Sequence, residues 1–262
     1  MKETHPLSIV IPCWNDARAL RSLFSQLRGL RGASNVIVAD ASPGEACQTA
    51  AAEFGAHFVK CPHANRGSQM NAGARVAASK VLLFQHADTE LTQAHLDALH
   101  TALQDPDLIG GAFHRKFDRR HAWLQWLEPL GRYLGGRGGT LYGDQSIFVR
   151  TKTFQQLGGF AEIPLMEDME FSKRLRASGR TALLDPPISS SPRHHQSRGA
   201  ILTSIRNGAL ILLYRYGVSP TTLHRWYYRG RSPETFTPPR SKSEPYVANA
   251  ASPTVGASTE GA

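Results

Sequence analysis

Three cysteines are all the chain contains, at Cys13, Cys47 and Cys61. They have no paired spacing and no C-x-x-C. Free thiols in a reducing cytosol therefore fit better than a disulfide framework. No apolar run reaches the ~18 residues of a membrane span. The N-terminal "MKETHPLSIVIP" puts an acid and a proline before a short apolar run, which is not the pattern of a secretory leader. No G-x-G-x-x-G follows that run, and no G-x-x-x-x-G-K-[ST] occurs anywhere, so a glycine cradle for phosphates is disfavoured. Acid is missing from a long stretch as well. Between Pro186 and Pro233 there is none, against seven arginines: Arg193, Arg198, Arg206, Arg215, Arg225, Arg229 and Arg231. A solvated helix face is the plain explanation, but a one-signed run beside an apolar helix is unusual on an inert surface. It suits contact with a membrane or another anionic partner.

What is present is enough for one large domain. The chain has 262 residues, 41% of them hydrophobic, and a formal net charge of +9. That charge favours an anionic partner. The runs "LSIVI", "NVIVAD", "HFVKCP" and "KVLLFQHAD" read as buried strands. Helical spacing separates them in "NDARALRSLFSQLRGL", "GEACQTAAAEFG" and "GSQMNAGARVAAS". Alternation of this kind implies βαβ units, a parallel sheet and helices on both faces. Further on, "LTQAHLDALHTALQD" predicts a helix opened by Thr92, and "IGGAFHRKF" and "SIFVR" predict strands. "HAWLQWLEPLGRYLGG" is amphipathic and interrupted by Pro129. "MEDMEFSKRLRASG" predicts a helix with Phe171 and Leu175 on one face, and "TALLDPPIS" a last strand. An apolar helix is expected over 199–218, packed in the core or lying on a membrane. Residues 231–262 are Pro, Ser, Thr and Ala without periodicity and read as a disordered tail.

In an open parallel sheet, ligands bind beyond the carboxyl ends of the strands. Four predicted strands end there in polar groups: Pro12 to Asp16, Asp40 to Ser42, Asn65 to Gly67, and His86 to Asp88. Each has a plain explanation, Asn15 and Asp16 as a helix cap and Asp40 as a turn former. The convergence of four is harder to dismiss. For Asp88 the plain explanation is an exposed loop acid. For Asp168 and Glu167 the plain explanation is an acidic helix start favoured by the macrodipole. Nucleic-acid binding is not expected, because aromatic RNA-binding, zinc-finger and helix-turn-helix signals are lacking. Trp123 and Trp126 suit core packing, whereas Trp226, Tyr227 and Tyr228 beside Arg225 and Arg229 suit a membrane interface.

The ordered set "SIVIPCWND", "IVADASPGE", "ANRGSQMNAGARVAASKVLLFQHADTEL", "GDQSIFVR", "LGGF" and "PLMEDMEFSKRLRASG" resembles the family 2 glycosyltransferases over roughly residues 7 to 190. Within that family it looks like a bacterial subgroup labelled as acting in arsenosugar biosynthesis. The resemblance implies an α/β GT-A fold, a doubly wound, mostly parallel sheet in a single domain over 1–230. The nucleotide-sugar half would span about 1–110, the acceptor half about 111–192, and a basic apolar helical segment 193–230. It implies transfer of a sugar from a nucleotide-sugar, with UDP as the expected nucleotide, to an acceptor hydroxyl by a single inverting displacement. Pro12, Asn15 and Asp16 would line the base and ribose pocket, with Asp40 accepting from the base. Arg66, Gly67 and Asn71 would lie near the base or diphosphate, with Ala87 beside them and Arg193 neutralising phosphate. Asp88 would ligate Mg²⁺ or Mn²⁺, and Asp168, beside Glu167, would be the general base. Gly143, Asp144 and Gln145 would shape the sugar and acceptor subsite.

The family's Asp-x-Asp begins here with His86. Its imidazole is expected to hydrogen-bond ribose or phosphate, or to join the metal; His194 or His195 are further candidate ligands. A cytoplasmic enzyme is expected, with peripheral contact to the inner face of the membrane through 193–230. The competing readings are a sugar nucleotidyltransferase and a non-catalytic basic module that binds membrane or nucleic acid.

Overall fold

The computed structural model describes residues 7–33, 35–115, 139–189 and 200–228, excepting the side chains of 200–205. The predicted helix over 121–136, the Arg193 to His195 segment and the predicted tail lie outside the described residues. The element order is β1 (Leu7–Cys13), α1 (Ala17–Leu27), β2 (Asn35–Asp40), α2 (Ala46–Phe54), β3 (His57–Lys60), α3 (Arg66–Arg75) and β4 (Val81–Phe84). Then follow α4 (Gln93–Ala102), β5 (Leu108–Arg115), a 3₁₀ turn (Gly143–Gln145), β6 (Phe148–Arg150), α5 (Thr151–Gln156), α6 (Glu167–Ser178), β7 (Arg180–Ile188), α7 (Ala200–Arg215) and α8 (Pro220–Tyr227).

One sheet carries both halves, in the order β3-β2-β1-β4-β6-β5-β7. β3, β2, β1 and β4 run parallel, as the alternation of strands and helices predicts. β6 runs antiparallel between β4 and β5, and β7 returns parallel to β5. Alternation along the strands splits the core in two. Ile9, Ile11 and Leu83 face α1, α2 and α4, with Leu20, Leu23 and Leu99 packed on them. Val10, Leu82 and Phe84 face the other way, onto Met70, Phe154, Phe171 and Leu175 of α3, α5 and α6. Each fully buried large apolar side chain contributes about 1.5–3 kcal/mol.

Local rules set the edges. Gly55 ends α2 in the left-handed region at φ 84°. His95 Nδ1 accepts from the Thr92 backbone N–H at 3.0 Å, closing the predicted start of α4. β5 passes so close to β7 that a Cβ on Gly111 would lie 2.0 Å from the Ala182 carbonyl oxygen. The strand predicted over 80–88 stops at Phe84. Buried Gln85 donates to the Thr89 carbonyl at 2.8 Å and accepts from Ser146 Oγ at 2.7 Å. That inward anchor leaves His86, Ala87 and Asp88 as a turn beyond the sheet edge.

Candidate active site

The carboxyl ends of β1 and β4 and the start of α3 enclose a cleft of about 220 Å³. β1 and its loop supply Pro12, Cys13, Trp14 and Asp16, α3 supplies Arg66 and Gln69, and the turn after β4 supplies His86, Ala87 and Asp88. Gln69 went unremarked in the sequence, although it stands one helical turn after Arg66 and so shares its face. Its side-chain amide donates to the Cys13 carbonyl at 2.7 Å and the Ala39 carbonyl at 2.9 Å, tying the ends of β1 and β2 to α3.

Asp16 also performs the plain task weighed for it. Its Oδ1 accepts from the Ala19 N–H at 3.3 Å and caps α1. Asn15 is left-handed at φ 53°, and its N–H donates to Ser42 Oγ at 2.7 Å. Besides Asn15, three expected ligand contacts do not line the cleft. Asp40 is fully buried behind it, bonded by Ser42 Oγ and 3.6 Å from Lys60 Nζ, because its side chain leaves β2 toward α2. Asn71 clamps α3 to the loop after α5, donating to the Phe160 carbonyl and accepting its N–H, both at 2.9 Å. Gly67 lets that same loop approach, since a Cβ there would lie 2.5 Å from the Ala161 carbonyl oxygen.

The second half closes on the cleft from β6 and α6. Arg66 Nη1 meets Glu167 Oε1 at 3.3 Å, joining the first turns of α3 and α6. Glu167 is buried, whereas the Arg66 side chain is half-exposed. Asp168 accepts two backbone N–H groups at 2.7 Å, from Gly143 on Oδ2 and from Met169 on Oδ1. Burial, and then the charge of Glu167, push its carboxyl up to about 6 against those donors and Arg66. A base poised there suits proton transfer near neutral pH. Gly143 stands between the two halves. A Cβ on it would lie 3.3 Å from His86 Nε2 and 3.4 Å from Asp168 Oδ2. Asp144 pairs with Arg115 at 3.0 Å, and Gln145 Oε1 accepts the Tyr142 N–H at 2.8 Å.

His86 is held neutral, its pKa lowered to about 3 by burial and then by Arg66. Its Nε2 has no hydrogen-bond partner among the described residues. Among the described residues, Asp88 receives only a long bond from Thr89 Oγ1, at 3.4 Å. An uncommitted carboxylate beside a neutral imidazole fits a divalent cation that takes its remaining ligands from phosphate and water. Two non-glycine residues besides Asn15 are left-handed, Ser146 at φ 52° and Met166 at φ 70°, and they adjoin Gln145 and Glu167. Backbone strain thus collects at the site. Against its burial, the charges of Glu167 and then Asp168 raise the pKa of Arg66, and burial, then Glu170, raise that of Tyr214. The three thiols are buried, and burial pushes Cys13 upward and Cys61 up to about 11. Neither is poised as a nucleophile.

Residues 8–157 match the family described as Glycosyl transferase family 2. A comparison with curated proteins finds no match. Among solved structures, a mannosyltransferase from Pyrobaculum calidifontis in complex with GDP-Man and Mn²⁺ is 15% identical at a TM-score of 0.62, with 86% of this chain and 70% of that one covered. Glucosyl-3-phosphoglycerate synthase from Mycobacterium tuberculosis, in complex with Mn²⁺, UDP and glucosyl-3-phosphoglycerate, is 17% identical at 0.57, covering 82% and 81%. S. aureus TarS in complex with UDP is 15% identical at 0.57, covering 71% and 61%. At these identities the likeness shows a shared fold.

Proposed function

The chain belongs to glycosyl transferase family 2, and from that premise we propose that it moves a sugar from a UDP-sugar to an acceptor hydroxyl with inversion at C1. The observation that carries this reading is the joining of the two halves around Gly143. Cleft residues His86 and Asp88 stand on one side, and the raised carboxyl of Asp168 stands on the other. The nucleotide occupies the cleft between Trp14, Arg66 and Gln69. Asp88 holds Mg²⁺ or Mn²⁺, with His86 as a neutral donor to phosphate or ribose, or as a second ligand. When bound, the cation offsets the charge that develops on the departing diphosphate.

Asp168 takes the proton of the acceptor hydroxyl as its oxygen bonds to C1. The bond from C1 to the diphosphate oxygen breaks with its electron pair on the nucleoside diphosphate. Attack from the face opposite the leaving group inverts the centre. The Gly143 and Met169 amides fix the carboxylate so that it does not rotate away from the acceptor. Arg66 pairs with Glu167 beside it, and the charge of Glu167 adds to burial in keeping Asp168 basic. Gly143, Asp144 and Gln145 border the acceptor's approach.

A thermal-shift screen of nucleotides and nucleotide-sugars, with and without Mn²⁺, tests the donor, because stabilisation follows ligand concentration over its Kd. A UDP-sugar should raise the melting temperature most, and only with metal. No metal-dependent shift by any nucleotide-sugar would remove the reading. A nucleotidyltransferase would instead release pyrophosphate from a nucleoside triphosphate.

No helix among the described residues is long and apolar enough to cross a membrane. Peripheral contact at the inner membrane face belongs to the same proposal. Its support is the exposure of Leu212 (56%) and Trp226 (50%) on α7 and α8, which also carry Arg215 and Arg225, and of Tyr216 (86%) in the turn just after α7. Flotation with anionic liposomes tests it; a full-length chain that stays at the bottom of the gradient would end the idea.

A further inference from the structure

Behind the cleft, three metal-ligating side chains meet with no part in the transfer chemistry. Cys13 at the end of β1 and Asp40 at the end of β2 are register partners on adjacent parallel strands. Cys47 comes down on them from the first turn of α2. The two sulfurs lie 3.3 Å apart, and one ligand atom from each of the three residues falls within 4.8 Å of the others. All three side chains are buried, with Asp40 at 0% exposure. Asp40 Oδ2 accepts no hydrogen bond among the described residues, and Lys60 Nζ stands 3.6 Å away. Among the described residues this is the one group of three such ligands, and it excludes Asp88.

We propose that Cys13, Cys47 and Asp40 form a second cation site, selective for a thiophilic divalent ion of the Zn²⁺ or Cd²⁺ class and separate from the oxygen-ligated cation assigned to Asp88. Two sulfurs and one carboxylate make a soft donor set, which favours such ions over Mg²⁺ or Mn²⁺. Charge balances within the cluster: two thiolates and Asp40 carry three negative charges, and the ion with Lys60 carries three positive. A tetrahedral ion with metal–sulfur bonds of about 2.3 Å spaces its sulfurs about 3.8 Å apart. The thiols therefore open by about half an ångström from their present contact. Ser42 Oγ, 3.5 Å from Cys47 Sγ and already bonded to Asp40, stands next to the fourth position. Entry is by way of the cleft, whose wall includes Cys13.

Loading exchanges protons for metal: the ion binds two thiols as thiolates, and both thiol protons go to the buffer. The site also reaches the donor loop, because Ser42 Oγ accepts the Asn15 N–H at 2.7 Å. An ion held here fastens the ends of β1 and β2 beneath that loop. The site does not depend on the donor assignment, so Asp88→Ala separates the two.

The test uses the full-length reduced protein, mixed with Cd²⁺ or Zn²⁺ and desalted, with retained metal counted and the cadmium–thiolate absorption recorded. Wild type should retain one ion per chain, show the thiolate band, melt at a higher temperature and release both protons as measured across buffers of different ionisation enthalpy. Asp88→Ala and Cys61→Ser should match it. Cys13→Ser and Cys47→Ser should lose the band and bind at least tenfold more weakly, and Asp40→Asn should weaken binding by about tenfold with the band kept. Circular dichroism checks that the variants fold; the band and the proton count in wild type stand even if one does not. A wild type without the band, binding without proton release, or a band that survives loss of both Cys13 and Cys47 would overturn the proposal.

Discussion

The two sides of the cleft are built differently. The proposed nucleotide side rests on four parallel strands, and its polar groups sit where strands end and helices begin. Most of them are already satisfied: Asp16 caps α1, Asn71 clamps a loop, and Gln69 ties two strand ends. The proposed acceptor side hangs on a three-residue antiparallel strand, a 3₁₀ turn and a left-handed Met166, and it holds the carboxyl pair of buried Glu167 and half-buried Asp168. One side leaves Asp88 and His86 with spare capacity. The other holds two left-handed non-glycine residues and a carboxyl whose pKa is raised. Binding needs a prepared surface with unused donors, and proton transfer needs a base kept from its ordinary ionisation.

The comparison breaks hardest at the two carboxylates. Asp168→Asn should lower turnover by 10²–10⁴-fold while leaving metal-dependent nucleotide binding within about twofold. Asp88→Ala should abolish transfer and weaken nucleotide binding in Mn²⁺ as well. Steady-state rates set beside nucleotide titrations separate the cases; equal loss of binding in both variants would mean that the sides do not divide the work.

The next largest effect is on stability. Gly67→Ala should cost about 1–3 kcal/mol in chemical denaturation, because its Cβ meets the Ala161 backbone rather than a flexible side chain. A neutral result would show that the loop facing α3 gives way.

The pH dependence sharpens the contrast further. With the Asp168 carboxyl raised to about 6, kcat/KM should rise through that pH as the base ionises, the apparent value belonging to the Glu167–Asp168 pair. Stability runs the other way. The folded chain holds a proton that the unfolded chain releases near pH ~4. That contribution is complete below ~4 and is lost as pH rises through about 6. Asp168→Asn should flatten both profiles. A rate profile flat from pH 5 to pH 8 in the wild type would remove Asp168 as the base.

The smallest expected effect lies at Met166. Met166→Gly relieves a left-handed backbone at φ 70° but adds freedom to the unfolded chain, for a net gain of about 0.5 kcal/mol. A melting temperature that falls by several degrees would mean that side-chain packing outweighs the strain.

What was legible before the structure follows from range. Strand and helix alternation, the Gly55 cap and the buried Phe171 and Leu175 face are local matters of spacing and propensity, and each appears where the sequence puts it. Asp88 and the Glu167–Asp168 pair stood out because their motifs sit at element ends. That Asp40, Gly67 and Asn71 pack against neighbouring segments was not legible, because a residue at a strand end or in a helix's first turns can face a ligand or a neighbouring loop, and sequence carries no sign of which. Gln69 was missed because its bonds run to residues 56 and 30 positions away.

The sequence by itself determined the α/β sheet, the family and the carboxylates to consider, because hydrophobic period and motif order are properties of neighbouring residues. Only the tertiary structure decided which polar groups remain unspent, that β6 runs antiparallel, and that two cysteines 34 positions apart meet at 3.3 Å beside Asp40. Those outcomes turn on which faces pack together, and packing joins residues whose separation along the chain leaves no local trace.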